Sequence, residues 1–178
     1  AARYPEADVS ETPPDGNTDP ISDEALAAVT VGELVVHGTT IQLDPYDPAW
    51  PGLFEREATR IRAALGDRVR LLEHVGSTSV PGLSAKPLID IVLAVPDSSD
   101  EPAYVPDLES AGYVLRIREP AWHEHRLFKG PDTNVNLHTF TVGCPEIDRM
   151  IRFRDWLRSH DDDRALYERT KRDLAARK

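Results

Sequence analysis

The chain has 178 residues, of which 40% are hydrophobic and 29% are charged, so it is long enough to bury a core without disulfides. A single cysteine, Cys144, excludes an internal disulfide and a cysteine-rich metal cluster, and it favours a reducing cytoplasm. No apolar run approaches the ~20 residues of a membrane-spanning helix, and the acidic N-terminus does not match a signal peptide. We therefore expect a cytoplasmic globular protein that does not bind a membrane.

Negative charge is concentrated near the N-terminus. Residues 1–40 hold eight acidic side chains and one basic side chain, which supply −7 of the net charge of −10. No part of the chain carries the basic stripe of a nucleic-acid-binding protein, so nucleic acid is not an expected partner. Four prolines among residues 1–21 and few apolar side chains predict an arm or linker. We place a domain boundary after residue 40, where an acidic arm with a short helix gives way to a folded domain over 41–178.

Helices and strands are predicted from the spacing of apolar residues along the chain. Ser22 is a candidate N-cap for a short helix over 22–30. Between Trp50 and Leu65, apolar residues recur at i, i+3 and i+4, which predicts a helix that Gly66 ends. Strands are predicted over 33–41, 69–75, 88–95, 113–117, 122–129 and 136–142, and further helices over 105–111, 146–159 and 162–177. The last two strands form a predicted hairpin that turns at 130–134.

The two helices that close the chain have weaker apolar faces. The residues expected to point inward are Ile147, Met150, Ile151 and Leu157 in the first helix, and Leu166, Tyr167 and Leu174 in the second. The first helix also carries Arg152, Arg154 and Arg158 in its C-terminal half. Cations at that end offset the helix dipole, and we expect this role for at least two of the three arginines.

The segment between the two central predicted strands is rich in small and hydroxyl residues. It contains Gly76, Ser77, Thr78 and Ser79, whose backbone N–H and hydroxyl groups suit a phosphate. Lys86 adds a cation. Asp90, within the next apolar run, is a candidate metal ligand. A tight connection with one satisfied, buried aspartate is the alternative interpretation.

Several segments together resemble the GrpB family. They are the runs that begin at Leu43, Glu73, Lys86, Asn136 and Phe153: Leu-Asp-Pro-Tyr-Asp-Pro-Ala-Trp, Glu-His-Val-Gly-Ser-Thr-Ser-Val-Pro-Gly-Leu, Lys-Pro-Leu-Ile-Asp-Ile, Asn-Leu-His and Phe-Arg-Asp-Trp-Leu-Arg. The resemblance covers about residues 41–174. It implies the α/β (α+β) fold of the nucleotidyltransferase superfamily, a mixed β-sheet flanked by helices. It also implies that Gly76 and Ser77 hold a nucleotide phosphate.

GrpB-like domains also occur fused behind dephospho-CoA kinase. An acidic, proline-containing arm and a chain that starts at Ala1 rather than methionine are expected of a domain taken from such a fusion. An N-terminal kinase domain would then be a partner of this chain. The kinase activity would lie outside these residues, because they contain no Gly-x-x-x-x-Gly-Lys-Ser/Thr phosphate-binding loop.

The resemblance also implies a metal site from which this sequence departs. In the superfamily, two carboxylates one residue apart and a third on a later strand hold two divalent ions. Here Asp90 has the first position, Val92 the second, and the later strand offers Asn136 and His138. A single carboxylate holds two Mg²⁺ ions poorly, so we expect weak or no nucleotidyl transfer.

Glu73 is a candidate replacement for the missing acid. Together, Glu73, Asp90 and His138 would form a mixed catalytic and metal-ligand set that suits Mn²⁺ or Zn²⁺ better than Mg²⁺. The alternative for Glu73 is a carboxylate that accepts from loop N–H groups or pairs with Lys86. His74 follows Glu73 and points to the opposite face of the strand, where we expect a structural hydrogen bond.

Residues 122–129 add further candidates. Arg126 is a candidate phosphate ligand, and Lys129 is a second one. His123 and His125 are predicted to share one face of this strand, either as a metal or proton-transfer pair or as exposed polar groups of an edge strand.

Three functions remain open from the sequence. The first is binding of a nucleotide or another phosphorylated small molecule at the glycine–serine loop, with or without a divalent metal. The second is a non-catalytic accessory or folding domain of a dephospho-CoA kinase in coenzyme A biosynthesis. The third is a metal-dependent hydrolase built on Glu73, Asp90 and His138.

Overall fold

The computed structural model describes residues 22–32 and 42–176. Within these ranges, one five-stranded sheet is flanked by helices. The helices are α1 (Asp23–Val29), α2 (Trp50–Leu65), α3 (Val105–Ser110), α4 (Pro145–Ser159) and α5 (Asp161–Ala176), and the strands are β1 (Leu71–Val75), β2 (Ile89–Val95), β3 (Val114–Glu119), β4 (His125–Lys129) and β5 (Val135–Thr141). None of these helices is long and apolar enough to cross a membrane. The predicted strand over 33–41 lies outside the described residues.

The sheet has the order β1-β2-β5-β4-β3. Among these five strands, β2 and β5 run parallel and the other neighbours are antiparallel, so the sheet is mixed, as the family resemblance implied. Paired residues point to the same side of a sheet. The register pairs Asp90 with Asn136, and Val92 with His138, while Glu73 lies opposite Val92. All five side chains therefore lie on one face.

The two faces of the sheet are covered differently. On one face, α2 and α3 pack over alternate residues of β2, and this contact forms the larger core. On the other face, Val92, Ala94 and Phe140 pack against Ile147 of α4. Asp90 and His138 lie on this second face with side chains 24% and 21% exposed, so the apolar cover does not extend over the start of β2.

The helix predicted before the glycine–serine loop is confirmed. It begins at Trp50 with Pro51 in its first turn, a position that needs no backbone donor. Gly66 follows its last residue with φ at +56°, a conformation that favours glycine. The apolar face predicted for this helix packs toward the sheet, with Trp50, Ala58, Ile61 and Leu65 buried and Leu53 and Phe54 partly buried.

Residues 22–32 pack against the edge of the sheet. Ser22 caps α1 as predicted, because its side chain accepts a hydrogen bond from the N–H of Ala25 at 3.1 Å. After the helix, the N–H of Val31 donates to the carbonyl of Arg116 at 2.8 Å, and Thr30 forms a bridge with Ile117. This bridge extends the sheet by one short pairing beyond β3.

The predicted strand over 122–129 is wrong in its first half. His123 and Glu124 have φ values of +55° and +50°, and the N–H of His125 closes a turn on the carbonyl of Trp122. The strand therefore begins at His125, and His123 does not share a strand face with it. A local turn with left-handed backbone has replaced the regular alternation that the sequence indicated.

The inward face predicted for α5 is also wrong. Leu166 and Leu174 are 55% and 60% exposed, and only Tyr167 of the three predicted residues is half-buried. The half-buried positions are Arg164, Tyr167, Glu168, Lys171 and Ala175. Their spacing is helical, but the stripe is mostly polar. In α4, by contrast, Ile147 and Leu157 are buried and Met150 and Ile151 pack at the core edge, as predicted.

Candidate functional site

Gly76 begins the loop and lies against the carboxylate of Asp90. Its φ of +69° and ψ of −173° belong to a region open essentially to glycine alone. A Cβ at this position would lie 2.4 Å from Asp90 Oδ2. Backbone conformation and close approach therefore both require glycine here.

The hydroxyl groups of the loop differ in burial and in hydrogen-bond partners. Thr78 is buried and donates to the carbonyl of Leu88 at 3.0 Å. Because its one proton is used there, it accepts from His74 Nε2 at 3.1 Å. Ser79 is also buried and donates to the carbonyl of Gly76. Of the three hydroxyls between 77 and 79, Ser77 is the half-exposed one.

His74 has the structural role that the sequence predicted. Its ring stacks on Phe54 at 5.1 Å between centroids and bonds to Thr78. Burial lowers the pKa of His74 to about 4; Arg158 and Arg154 lower it further, and Asp90 opposes them. The imidazole is therefore neutral at pH 7, and its Nε2–H fixes the start of the loop.

A small cavity of about 140 Å³ lies beside the loop. Ser77, Lys86 and Asp90 line it together with Lys171 of α5, and Leu43, Thr78, Ala85 and Leu88 complete the lining. Lys171 Nζ donates to Ser77 Oγ at 2.8 Å and to the carbonyl of Ser84 at 3.2 Å. Burial lowers the pKa of Lys171, while Glu168 and Asp90 oppose that effect. The cavity thus brings two ammonium groups next to one carboxylate.

A row of polar side chains continues from Asp90 across β5 to β4. Asp90 Oδ1 accepts from Asn136 Nδ2 at 3.0 Å, and Asn136 Oδ1 accepts from Lys129 Nζ at 2.5 Å. Burial lowers the pKa of Lys129, and Asp90 opposes that shift. Lys129 therefore brings a third ammonium group to the same face of the sheet.

Two stacked histidines lie beside this row on the same two strands, His138 on β5 and His125 on β4. His138 Nε2 is 3.7 Å from Asp90 Oδ1, and His138 Nδ1 is 3.2 Å from His125 Nε2. His125 Nδ1 donates to Glu119 Oε2 at 2.6 Å, because a carboxylate can only accept. Burial lowers the pKa of His125, and the Glu119 carboxylate opposes it. Hydrogen bonds thus connect Glu119 to His125 and His125 to His138, whereas the distance from His138 Nε2 to Asp90 Oδ1 is beyond hydrogen-bond range.

Glu73 does not join Asp90 and His138 in a ligand set. Its carboxylate accepts from Arg154 Nη1 at 2.7 Å, and the Arg154 side chain is only 9% exposed. Among residues 22–32 and 42–176, no three His, Cys, Asp or Glu side chains are grouped as a metal ion would need. The three-residue set that the hydrolase hypothesis needs is therefore not assembled.

The residues present also do not fit the two-metal arrangement of the superfamily. Two hard divalent ions need several oxygen ligands, and in the described part of the chain Asp90 supplies the only carboxylate that lines this cavity. Val92 is fully buried in the apolar cluster beneath α4. The side-chain oxygens of Ser77 and Asn136 already accept from the ammonium groups of Lys171 and Lys129.

Arg126 is not part of the site, contrary to prediction. It pairs with Thr139 in the sheet, whereas its neighbour Leu127 pairs with His138, so Arg126 points to the opposite face. Its side chain is 4% exposed and bonds to Glu101 at 2.6 Å. A partly buried ion pair on the far face therefore occupies the guanidinium that the sequence assigned to a phosphate.

The C-terminal helices supply contacts that sequence reasoning missed. Lys171 reaches the cavity, and Arg158 donates to the carbonyl of Ser79 at 2.8 Å. Arg154 donates to the carbonyl of His74 at 2.9 Å as well as to Glu73. We expected only a dipole role for at least two of Arg152, Arg154 and Arg158. The available signal was the helical spacing of Arg154 and Arg158, which puts both on the face of α4 that also carries buried Leu157.

These features define an α/β protein in which a glycine–serine loop, the Asp90 carboxylate and lysine side chains meet at one face of a mixed sheet. The chain belongs to the GrpB family, since the family model described as GrpB protein matches residues 40–178. It is 64% identical to a UPF0157 protein of Halalkalibacterium halodurans over 89% of this chain and 82% of that one. A UPF0157 protein of Streptomyces coelicolor is 48% identical over 75% and 70%.

A solved structure supports the same assignment. The crystal structure of the conserved protein GrpB from Enterococcus faecalis has a TM-score of 0.68 and 32% identity, covering 75% of this chain and 82% of that chain. A more distant match is to a dephospho-CoA kinase of Mycolicibacterium paratuberculosis, 30% identical over 77% of this chain. That match spans 40% of the kinase.

Proposed function

We propose that the chain binds a nucleotide or another phosphorylated small molecule in the cavity between the glycine–serine loop, β2 and α5. The observation that carries the proposal is the half-buried Lys171, which reaches Ser77 Oγ at 2.8 Å beside Lys86 and Asp90. An ammonium group held against a hydroxyl at a solvent-accessible cavity is a recurrent means of binding phosphate oxygens. The nucleotidyltransferase-like fold implied by family membership is consistent with a phosphate at Gly76 and Ser77.

The size of the cavity limits which part of the ligand it holds. Small-molecule pockets typically measure about 300–1,000 Å³, whereas this cavity measures about 140 Å³. We infer that it takes the anionic end of the ligand. The remainder extends over the open face of the sheet, where the side chains of Asp90 and His138 are 24% and 21% exposed.

Nucleotidyl transfer by this site is weak or absent in our proposal. Among residues 22–32 and 42–176, Asp90 is the only carboxylate that lines the cavity, and Val92 stands where the second carboxylate of a two-metal site is expected. The protein then acts chiefly through binding. Product formation from a nucleoside triphosphate at rates of about 1 s⁻¹ or faster, typical of enzymes, would contradict this part of the proposal.

Calorimetric and thermal-shift titrations test the binding proposal. ATP, GTP, dephospho-CoA and pyrophosphate are the probes, and any that binds the folded state raises Tm by mass action. Lys171→Gln should weaken that binding about tenfold or more, since a charge-assisted hydrogen bond contributes roughly 1.5–3 kcal/mol. Arg169→Gln removes the same charge from an exposed position of α5 and should leave the Kd within about twofold. If none of the probes binds, the proposal fails.

A second function is favoured by the dephospho-CoA kinase match. We propose, as the alternative, that such a domain serves as an accessory or folding unit for a kinase domain in coenzyme A biosynthesis. The name belongs to a protein that is 30% identical to this chain, and the matched part is 40% of that protein. Expression of the kinase region with and without this domain tests the idea. Equal yield and solubility in both cases would count against it.

A further inference from the structure

Lysine ammonium groups lie near Asp90, where a metal-dependent phosphate site would hold its divalent cations. Lys129 Nζ donates to Asn136 Oδ1 at 2.5 Å, and Lys171 Nζ donates to Ser77 Oγ at 2.8 Å. Asp90 itself accepts from Asn136 at 3.0 Å. Asp90 is therefore linked to Lys129 through Asn136 and lines the same cavity as Lys171, and the side-chain oxygens of Asn136 and Ser77 already accept from these two ammonium groups.

The charge balance of this cluster is unlike that of a divalent-metal site. A Mg²⁺ or Mn²⁺ site gathers several carboxylates, so that it is negative before the ion arrives. Here Lys86 and Lys171 line the cavity with Asp90, Lys129 is linked to Asp90 through Asn136, and Glu73 is neutralised separately by Arg154. A second cation would meet repulsion from the ammonium groups, whereas an anion would be attracted.

We propose that Lys129 and Lys171 take the place of the divalent ions, so that the phosphorylated ligand binds without a metal. This inference rests on the proposed function. Asp90 then holds the lysine–asparagine row in position through Asn136 and does not coordinate an ion. The negative charge of Asp90 repels the phosphorylated ligand, but the lysine ammonium groups attract the ligand more strongly.

Asp90→Asn separates the two mechanisms because the expected effects have opposite signs. If a metal ion bridged Asp90 to the ligand, the amide would remove the metal's only carboxylate and binding would be lost. If the ammonium groups bind the ligand directly, the amide removes a repulsive charge and keeps an acceptor for Asn136. Pyrophosphate affinity should then stay the same or increase by up to about tenfold, which corresponds to ~1.4 kcal/mol.

The experiment is isothermal titration of the full chain with inorganic pyrophosphate, in EDTA and in millimolar MgCl₂. Wild type should bind pyrophosphate in EDTA, and MgCl₂ should not strengthen that binding, because Mg²⁺ complexes pyrophosphate in solution and competes with the ammonium groups for it. Lys129→Gln and Lys171→Gln should each weaken binding about tenfold or more, with Arg169→Gln as the control. Lys171→Arg, which keeps the charge, should recover part of the affinity, and a cooperative melt for each variant shows that it is folded.

Each alternative result has a distinct meaning. Binding that requires Mg²⁺ and is lost in Asp90→Asn overturns the metal-free mechanism and leaves the proposed function intact. Stoichiometric Mn²⁺ binding to the protein without pyrophosphate, measured by electron paramagnetic resonance, also overturns it. If neither pyrophosphate nor any of the nucleotide probes binds in either buffer, the proposed function fails and the metal-free mechanism fails with it.

Discussion

At the scale of single residues, Gly76 lies where the loop meets the Asp90 carboxylate of β2. A substitution at Gly76 tests two constraints, the positive φ of the backbone and the close approach to Asp90. Gly76→Ala adds a Cβ 2.4 Å from Asp90 Oδ2 to a backbone conformation that strains any other residue. We expect a loss of about 3 kcal/mol or more in the free energy of unfolding, measured by urea denaturation. Stability within ~0.5 kcal/mol of wild type would contradict this geometry.

Substitutions at two other glycines separate the two costs expected for Gly76→Ala, which are backbone strain and the steric clash with Asp90. Gly82 also has a positive φ, +78°, but a Cβ added there would meet no atom within 4 Å, so Gly82→Ala reports backbone strain alone, about 1–2 kcal/mol. Gly52 lies in α2 with the same open surroundings and no positive φ. Gly52 is the third residue of α2, so Gly52→Ala should stabilise the protein by at most the roughly 0.5–1 kcal/mol that separates alanine from glycine inside a helix.

The residues of the loop were predictable because their signal is local. Gly76, Ser77 and Asp90 belong to one continuous segment, and the hairpin-like return of β2 beside β1 brings its two ends together. Lys171 is 94 positions from Ser77, and no local pattern specifies such a contact. The prediction for Arg126 was wrong for a related reason. The alternation of side chains along a strand defines two faces, but only the register with β5 shows which face points to the site.

At the scale of elements, two arginines of α4 fix the helix to β1 and to the loop. Arg154 is buried and donates to Glu73 and to the carbonyl of His74, while Arg158 donates to the carbonyl of Ser79. These bonds connect α4 to both ends of the segment that carries Gly76. The position of the loop therefore depends on a helix that lies about 80 residues later in the chain.

Arg154→Ala tests this link between α4 and β1. The substitution leaves the carbonyl of His74 without its buried donor, while Glu73, 43% exposed, can be hydrated. We expect the free energy of unfolding to fall by about 1–3 kcal/mol in urea denaturation. Arg152→Ala is the matched control on the exposed side of α4 and should change it by less than ~0.5 kcal/mol. Equal effects of the two substitutions would show that the Arg154 bonds do not anchor the helix.

The polar stripe of α5 explains why the sequence misassigned its inward face. An apolar stripe predicts the buried side of a helix only where the helix covers a hydrophobic core. Here α5 covers the cavity and the loop, and Lys171 and Arg172 donate to Ser77 and Ser84. The face that packs inward is therefore hydrophilic, and Leu166 and Leu174 remain exposed. In α2 and α4 the same rule succeeds because these helices cover apolar parts of the sheet.

At the scale of the whole molecule, one buried histidine couples the stability of the fold to pH. The pKa of His74 falls from 6.5 to about 4 in the folded protein, chiefly because the ring is buried. Between these two values, the unfolded chain binds a proton that the folded protein does not. The stabilising contribution is therefore complete above about pH 6.5 and is lost as the pH falls toward 4. Its full size is roughly 3 kcal/mol, at about 1.4 kcal/mol for each pH unit.

His74→Gln should remove this pH dependence while its amide keeps a donor within reach of Thr78. Urea denaturation of wild type and variant at several pH values between 7 and 4 gives the comparison, because groups that titrate in both proteins cancel in the difference. The difference in free energy of unfolding between wild type and His74→Gln should become smaller as the pH falls. His123→Asn is the control, since His123 is exposed in a left-handed turn that asparagine tolerates, and its difference from wild type should stay constant. Parallel loss of stability in wild type and His74→Gln would mean that protonation elsewhere controls the acid sensitivity of the fold.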